Sequence, residues 1–399
     1  MRSGRYVKQA CGYSAFVPNP LPPSPSLAID AETTVLLSKA DRCLGRLDGV
    51  ASVLPNPDLF VAMYVRHEAV LSSQIEGTQS TLQDVLQFEI DAQGDETPKD
   101  VEEVVNYVKA MNYGLKRLRQ LPLSLRLIRE IHEQLLHGVR GENRTPGEFR
   151  NTQNWIGPAN ATPSTAVFVP PPVDEMKHAL NELEHYLHDT TLPPLIHCAL
   201  VHAQFETIHP FLDGNGRVGR LMITFLLCER EILLRPLLYL SYFLKAHRAE
   251  YYDRLMAIRN EGNWESWVKF FLKGVAEVSV SATDTAREIL DLRERDRNNI
   301  ITGTVSNPAN ALRLLDHLYT QPVVNTRVVQ NLLSCSFQTA NKLLEQMVGL
   351  QILQETTGQR RNRLYSYKPY LGIFNRPLAT NVTEQEIQVT GSAVNDEND

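Results

Sequence analysis

The chain has few cysteines and no apolar run long enough to cross a membrane. Its five cysteines are widely separated, and no C-x-x-C pair or metal-ligand spacing relates them, which predicts reduced thiols in a cytoplasmic protein. The longest apolar stretch, residues 221–240, is interrupted by four charged residues, so we expect no membrane span. No apolar segment follows the basic residues near the start of the chain, which argues against a secretory signal.

An excess of positive charge is also absent. Forty Lys and Arg residues stand against 46 Asp and Glu residues, a net charge of −6, so no overall cationic field draws the protein to nucleic acid or acidic lipid. With 43% hydrophobic and 22% charged residues, the composition is that of an ordinary globular protein and excludes global disorder. At about 150 residues per domain, 399 residues predict two or three domains.

Helical periodicity dominates and predicts an all-α protein with one small β-hairpin flap, formed by residues 154–157 and 166–169. Ser80 and Gln83 have the spacing of a helix capping box. The predicted segments are an extended proline-rich arm (1–28), an N-terminal helical region (29–120), a helical core (121–280), a charged helical connector (281–303), a winged helix-turn-helix (304–372) and a disordered acidic tail (373–399).

The densest group of reactive side chains lies between two predicted helices, from His209 to Arg220. A Gly-Asn-Gly turn at residues 214–216 leads into a helix start, whose free backbone N–H groups form a site for an anion. Arg217 and Arg220 lie three residues apart on one side of that helix and suit phosphate oxygens. The segment therefore predicts a polyphosphate site.

Two side chains add chemistry to this segment. Asp213 supplies a hard oxygen ligand, and Mg²⁺ takes one or two carboxylates together with phosphate oxygens. His209, with an ordinary pKa of about 6.5, is suited to removing a proton from an attacking hydroxyl. Together they indicate attack on a nucleotide phosphate.

Other known motifs fit the sequence less well. Gly214, Gly216 and Gly219 match the dinucleotide fingerprint G-x-G-x-x-G, but no apolar strand precedes them and residues 232–240 contain no acidic partner. The G-K-[ST] of a Walker loop is absent from this segment. His132 and His137 miss the zinc-binding H-E-x-x-H spacing by one residue, so we expect no zinc site there.

The segment from His209 to Arg220 resembles the Fic family motif H-P-F-x-[DE]-G-N-G-R-x-x-R and matches all nine specified positions. Further similarity around His132, at residues 146–157 and at residues 168–172 extends the resemblance to residues 30 to about 370. It implies a Fic helical core and protein AMPylation. In that reaction a protein Ser, Thr or Tyr hydroxyl attacks the α-phosphorus of ATP, and pyrophosphate leaves. The chain itself is also an implied target.

The resemblance assigns a role to each matching residue. His209 is the implied base, and Asp213 is implied to hold Mg²⁺, the expected cofactor, against the α- and β-phosphates of ATP. The implied phosphate-binding residues are Gly214, Asn215, Gly216, Arg217 and Arg220, of which Arg220 reaches the γ-phosphate. The target is expected to align by strand addition on flap residues Asn154, Trp155, Ile156, Gly157, Val167, Phe168 and Val169. Trp155 fits a buried anchor as well as a substrate contact.

A second motif, Ser72-x-x-x-Glu76-Gly77, resembles the family's inhibitory signature [ST]-x-x-x-E-[GN]. Ser72 and Glu76 lie one turn apart on one helix face, so both can point at the same group. In the family this glutamate pairs with the second motif arginine, here Arg220, and excludes a productive γ-phosphate pose. The resemblance therefore implies an autoinhibited enzyme.

Other functions remain open at this point. The winged helix-turn-helix fits a DNA-binding regulator in which the nucleotide site is a sensor, and such units also serve as protein-interaction or homodimer contacts. Its candidate DNA contacts are Ser336, Gln338, Thr339, Asn341 and Lys342 on the third helix and Arg360, Arg361 and Arg363 in the wing. A third interpretation is a de-AMPylase, in which the same site removes AMP from modified proteins.

Overall fold

The computed structural model describes residues 1–52, 57–90, 99–139, 144–358 and 363–374, and they confirm the all-α fold class. The helices are α1 (Ala31–Ser52), α2 (Pro57–Ile75), α3 (Leu82–Ile90), α4 (Lys99–Arg117), α5 (Leu125–Leu136), α6 (Val173–Leu187), α7 (Pro194–Ile208), α8 (Asn215–Glu229), α9 (Ser241–Ala246), α10 (Arg248–Glu261), α11 (Trp264–Thr302), α12 (Pro308–Leu318), α13 (Thr326–Leu333), α14 (Phe337–Gly349) and α15 (Lys368–Phe374). The strands are β1 (Gly4–Lys8), β2 (Ser14–Pro18), β3 (Val323–Asn325), β4 (Gln354–Glu355) and β5 (Leu364–Ser366).

Helix α7 lies at the centre of the core. Pro194 begins it at a position where the missing N–H is not needed, and every later residue of the helix is buried. It packs against α6, α8, α10 and α11, while α8 also contacts α2, α4 and α5. The loop between α7 and α8 carries the predicted site, so two largely buried helices position this site.

The predicted proline-rich arm is wrong for residues 4–18, which form an antiparallel hairpin of β1 and β2. Tyr6 pairs with Phe16 in this hairpin. Phe16 is fully buried, and its N–H donates a 2.9 Å hydrogen bond to the carbonyl of Val169. The prolines of this segment begin only at the end of β2, so they do not prevent strand pairing.

Two local predictions hold in altered form. The flap reduces to one reciprocal pair, in which Ile156 and Phe168 exchange hydrogen bonds of 2.8 and 3.1 Å. The capping box lies one residue later than predicted. Thr81 N donates to Asp84 Oδ2 at 2.8 Å, and Asp84 N donates to Thr81 Oγ1 at 3.2 Å.

The charged connector is not a separate segment, because residues 281–302 form the second half of α11. Ala282, Ala286 and Ile289 are buried, which keeps one face of the connector out of solvent. This helix packs along α1 and reaches α12 and α15, so it ties the core to the C-terminal unit.

Residues 304–358 and 363–374 form a small helical unit with one sheet. Helices α12, α13 and α14 accompany an antiparallel sheet of order β3-β5-β4. The predicted tail boundary at 373 is wrong, since Ile373 and Phe374 are buried in α15. The rest of the tail lies outside the described residues. Among the described helices, none is both long and apolar enough to traverse a bilayer.

Candidate active site

The site is built on a turn that follows α7. His209 ends the helix with φ 49° and ψ 61°, and its N–H still donates to the Phe205 carbonyl at 2.9 Å. Gly214 also has a positive φ of 78°, which glycine adopts without strain, and α8 begins at the next residue. The turn thereby places His209 beside the N-terminus of α8.

Two side chains outside the motif fix the backbone of this turn. Arg150 donates from Nε to the His209 carbonyl at 3.0 Å, and its own backbone N–H reaches the Pro210 carbonyl at 2.9 Å. Asn154 Nδ2 donates to the carbonyls of His209 and Phe211 at 3.1 and 2.9 Å. Asn154 was predicted to dock a target; in the structure its amide N–H groups bind the loop that follows α7.

Asn215 also acts on the turn. Its side chain is buried, accepts from Phe211 N and donates to Phe211 O, both at 2.8 Å. The sequence predicted this residue as a phosphate ligand. The structure leaves only its backbone N–H for that role.

His132 supports the loop from α5. Gly147 N donates to its Nδ1 at 2.9 Å, so Nε2 carries the proton and donates to the Asp213 carbonyl at 3.0 Å. The ring stacks on Phe211, with centroids 3.7 Å apart and an interplanar angle of 7°. Burial lowers the pKa of His132 to about 4 against the raising effect of its bond to Asp213, so the ring is neutral near pH 7.

His209 is a neutral imidazole in this environment. Burial, together with the positive charges of Arg259 and Arg150, lowers its pKa to about 3, against the raising effects of the Glu206 backbone carbonyl and of Glu76. Nδ1 is buried without a hydrogen-bond partner among the described residues and lies 3.9 Å from Glu206 Oε2. Because Nδ1 is enclosed, Nε2 is the nitrogen left to receive a proton.

Asp213 fits the single carboxylate of a phosphate-bound Mg²⁺ ion. Its hydrogen bond from Gly214 N at 2.6 Å and its 3.5 Å contact with Arg217 Nη2 both use Oδ1, which leaves Oδ2 for a metal. Among the described residues no three His, Cys, Asp or Glu side chains cluster as a metal site. A metal here therefore requires further ligands from phosphate or water. Arg217 Nη1 contacts the buried Glu103 of α4 at 3.1 Å.

The predicted pairing of Glu76 with Arg220 is present. Arg220 donates from Nη2 to Glu76 Oε1 at 2.6 Å and from Nε to Ser72 Oγ at 2.7 Å. A Cβ at Gly216 would lie 2.3 Å from Glu76 Oε1, so the carboxylate sits against the first turn of α8. Although burial raises the pKa of Glu76, Arg220 holds it below its ordinary value. Gly77 follows with a φ of 104° and turns the chain away.

Helix α2, which carries Ser72 and Glu76, is anchored at a second point. Glu68 is buried and accepts from Ser241 N at 3.1 Å, from the Ser241 hydroxyl and from Tyr107 OH at 3.3 Å. Burial raises the pKa of Glu68 to about 7, partly offset by the bonds from Ser241. The helix that reaches Arg220 is thus bound to both α4 and α9.

The flap divides into an exposed and a buried part. Trp155 and Val167 are 42% and 62% exposed, and Trp155 Nε1 donates to the Ala161 carbonyl at 2.8 Å, so the buried-anchor interpretation is wrong. Gly157 is exposed and Ile156 is half-buried. The side chains of Phe168 and Val169 are buried and are therefore not available to a target. The Val169 carbonyl already accepts a hydrogen bond from the backbone N–H of Phe16 in β2.

The predicted DNA contacts lie on a separate surface. Ser336, Gln338, Thr339 and Lys342 are exposed at the start of α14, although Ser336 Oγ also caps the helix by accepting from Thr339 N at 3.2 Å. Asn341 Oδ1 accepts a hydrogen bond from Arg363 Nη2 at 2.8 Å, so these two predicted contacts bind each other within the protein. Arg360 and Arg361 lie outside the described residues.

Sequence reasoning missed several residues that surround the site: Glu103, Arg150, Glu206 and Arg259 as charges, and His132 as a support. Glu206 precedes His209 by three residues on one helix, so helical spacing alone could have found it. Arg150 lies in the segment 146–157, whose resemblance to the family gave it no role, and Arg259 comes from a distant segment that no local pattern marks.

Two family models match most of this region. The N-terminal model of the Fic/DOC family matches residues 34–116, and the Fic/DOC family model matches residues 122–227. The chain belongs to the Fic/DOC family. The first matched segment of this Fic protein contains Glu76, and the second contains the whole His209–Arg220 loop.

Known relatives support the same assignment. The protein adenylyltransferase Fic of Drosophila virilis is 30% identical over 174 residues, which is 42% of this chain and 32% of the fly protein. The Drosophila melanogaster protein of that name is 28% identical over 174 residues, 42% of this chain and 31% of its own. The Fic chain therefore spans about a third of the length of these curated relatives.

A solved structure shares the fold. A Fic family protein from Desulfovibrio desulfuricans G20 aligns with 86% of this chain and 97% of its own, at 20% identity and a TM-score of 0.55. The alignment extends well beyond the two matched segments, so the shared fold includes more than the Fic core.

Proposed function

We propose that this protein is a protein adenylyltransferase that transfers AMP from ATP to a Ser, Thr or Tyr hydroxyl of a protein, itself included. The observation that carries the proposal is the placement of a neutral imidazole, His209, beside the N-terminus of α8, where the N-cap residue Gly214 provides no side-chain cap. A base next to a polyanion site is the arrangement that nucleotidyl transfer to a hydroxyl requires.

The chain's own residues supply positioning and charge. The N-terminus of α8 with Arg217 and Arg220 binds the triphosphate through backbone N–H groups and guanidinium forks. Asp213 binds Mg²⁺, which when present neutralises phosphate charge during transfer. His209 Nε2 takes the proton of the attacking hydroxyl, whose oxygen bonds to the α-phosphorus as pyrophosphate leaves.

The structure represents a resting state under this proposal. Glu76 places a carboxylate on Arg220 and against the helix start, where a phosphate of ATP would otherwise bind. Anchoring of α2 by Glu68 favours this closed arrangement. Removal of the Glu76 carboxylate is therefore expected to release the enzyme.

A target protein would approach along the flap. Trp155 and Val167 are the large apolar side chains exposed there, and the flap backbone can add an extended target segment as a strand. Such pairing would bring the target hydroxyl to His209, which the flap residue Asn154 already contacts through the loop carbonyl.

The decisive experiment uses the Glu76→Gly protein. It is incubated with Mg²⁺ and each of the four nucleoside triphosphates in turn, and the mass of the intact protein is measured. We expect addition of AMP from ATP, and none when His209→Ala is added to the same background. Absence of any nucleotide adduct with all four would contradict the proposal, and an adduct from another triphosphate would change the substrate.

The regulator and de-AMPylase interpretations stay predictions, because no contact among the described residues favours either over AMP transfer. Duplex DNA binding is tested by retention on DNA at rising salt concentration. Binding through phosphate contacts weakens steeply with salt. Cytoplasmic location and homodimer formation stay predictions as well.

A further inference from the structure

Glu206 is a buried carboxylate that the proposed reaction leaves without a role. It lies in the last turn of α7, three residues before His209, with its Oε2 3.9 Å from His209 Nδ1. Its Oε1 and His209 Nδ1 are both buried without a hydrogen-bond partner among the described residues. The imidazole of His209 therefore has the Glu206 carboxylate near Nδ1, in addition to the Glu206 backbone carbonyl, whose hydrogen bond raises the pKa of His209.

The fold keeps room for this carboxylate. A Cβ atom at Gly219 would lie only 2.6 Å from Glu206 Oε1, so any larger residue there would displace the carboxylate. Gly219 occupies an unspecified position of the nucleotide motif, and nucleotide binding does not by itself require glycine there. Glycine at position 219 therefore leaves the space that the Glu206 carboxylate occupies.

The end of α7 is also fixed from α10. Arg259 donates from Nη2 to the Glu206 carbonyl at 3.0 Å and from Nε to Thr207 Oγ1 at 3.3 Å. Its guanidinium covers the Phe168 ring at 3.8 Å. Arg259 thus fixes the position of the last turn of α7 relative to the flap. This turn carries Glu206 and leads into His209.

We propose that Glu206 is the positioning residue of His209, holding Nδ1 as the protonated nitrogen and stabilising the imidazolium that forms during AMP transfer. This inference rests on the proposed function. When the target O–H bond breaks, its proton goes to Nε2, and its oxygen bonds to the α-phosphorus as the bond to pyrophosphate breaks. The ring is then cationic, and its Nδ1–H can close the 3.9 Å gap to the carboxylate.

Such a partner offsets an unfavourable environment. Burial and two arginines oppose a positive charge on His209. An opposite charge within about 4–6 Å raises a histidine pKa by about 1–3 units. Glu206 is the carboxylate adjacent to Nδ1, and Glu76, the other nearby carboxylate, is the group expected to withdraw on activation.

The kinetic test compares variants in the Glu76→Gly background. Glu206→Gln keeps the shape and the acceptor oxygen but removes the charge, and we expect kcat to fall by about 10-fold or more with the KM for ATP unchanged. Gly219→Ala, which displaces the carboxylate, should lower kcat in the same way. Glu175→Gln, at an exposed position of α6, is the matched control and should change neither constant. A Glu206→Gln protein with the parent kcat would overturn the proposal.

The spectroscopic test does not require turnover. Nitrogen-15 NMR of the imidazole distinguishes a protonated Nδ1 from an unprotonated one. We expect protonated Nδ1 in the parent and in Glu206→Gln, and a shift toward protonated Nε2 in Glu206→Leu, which keeps the backbone carbonyl of residue 206 but has no side-chain acceptor. A parent spectrum with unprotonated Nδ1, or a Glu206→Leu spectrum identical to it, would overturn the pairing. Failure of all variants to transfer AMP would instead contradict the proposed function.

Discussion

Nη2 of Arg220 donates a 2.6 Å hydrogen bond to Oε1 of Glu76. A Cβ atom at Gly216 would lie only 2.3 Å from the same carboxylate oxygen. An internal anion thus occupies a helix start that is suited to phosphate. Because Arg220 is buried and Glu76 is 37% exposed, the carboxylate is the partner that can leave without exposing the protein core.

Substitution of Ser72 tests whether its hydrogen bond with Arg220 restrains activity. Its Oγ accepts from Arg220 Nε at 2.7 Å, and a hydrogen bond to a charged group contributes about 1.5–3 kcal/mol. We expect Ser72→Ala to raise the basal rate of AMP transfer, by less than Glu76→Gly does. The measurement is the initial rate of self-modification with ATP and Mg²⁺.

The adjacent serine is a matched control for this prediction. Ser73 is also fully buried, and its Oγ has no hydrogen-bond partner among the described residues. Ser73→Ala should leave the basal rate unchanged. Equal rates for Ser72→Ala and wild type would show that the serine does not contribute to restraint.

The Glu103–Arg217 pair should contribute to stability. Both side chains are buried, with 3.1 Å between Arg217 Nη1 and Glu103 Oε2. Removing one partner leaves a charge buried with its main counter-ion missing, so Glu103→Ala should lower the free energy of unfolding by about 3 kcal/mol. Chemical denaturation measures this. Glu102→Ala, one residue earlier and partly exposed, should change it by about 0.5 kcal/mol or less, and equal effects of the two variants would refute the assignment.

The sequence predicted which residues come together at the site because most of them are close in the chain. His209, Asp213 and the two arginines lie within twelve consecutive residues, where proline and glycine fix the turn and α8 fixes the spacing. The partner of Arg220 was also predictable, since Ser72 and Glu76 form a recognisable helical pair. The supporting residues were not, because Arg150 and Arg259 reach the loop only through tertiary packing.

His132 illustrates the same limit, since its spacing to His137 gave no sign of a supporting role. His132→Leu should remove the donor to the Asp213 carbonyl and the stacking on Phe211, and thereby displace Asp213, the residue proposed to bind Mg²⁺. We expect Mg²⁺–ATP to bind about 10-fold more weakly in the Glu76→Gly background, as titration calorimetry would measure. His137→Leu, at an exposed position, is the control. Unchanged affinity in His132→Leu would contradict the supporting role.

The N-terminal hairpin was missed for a different reason. Five prolines between residues 18 and 25 and the lack of periodicity predicted an extended arm. In the structure Phe16 is buried beside Phe168, with ring centroids 6.2 Å apart. Burial of this ring against the flap, which no local pattern reveals, fixes the hairpin.

The pH dependence of transfer should report on Glu206. Burial and the charge of Glu76 raise the pKa of Glu206 to about 7, against the lowering effects of Arg220 and Arg259. His209, Tyr251 and Tyr252 are further titratable groups that interact with it.

A carboxylate that must be ionised to support His209 is active above its pKa. In the Glu76→Gly background, kcat should therefore rise with pH to a plateau. Since the raising effect of Glu76 is gone, the midpoint should lie below about 7. The pKa of His209, about 3, is too low to produce this limb. Measuring kcat from pH 5 to 9 tests the expectation, and Glu206→Gln should flatten the limb. A limb that persists unchanged in Glu206→Gln would assign it to another group.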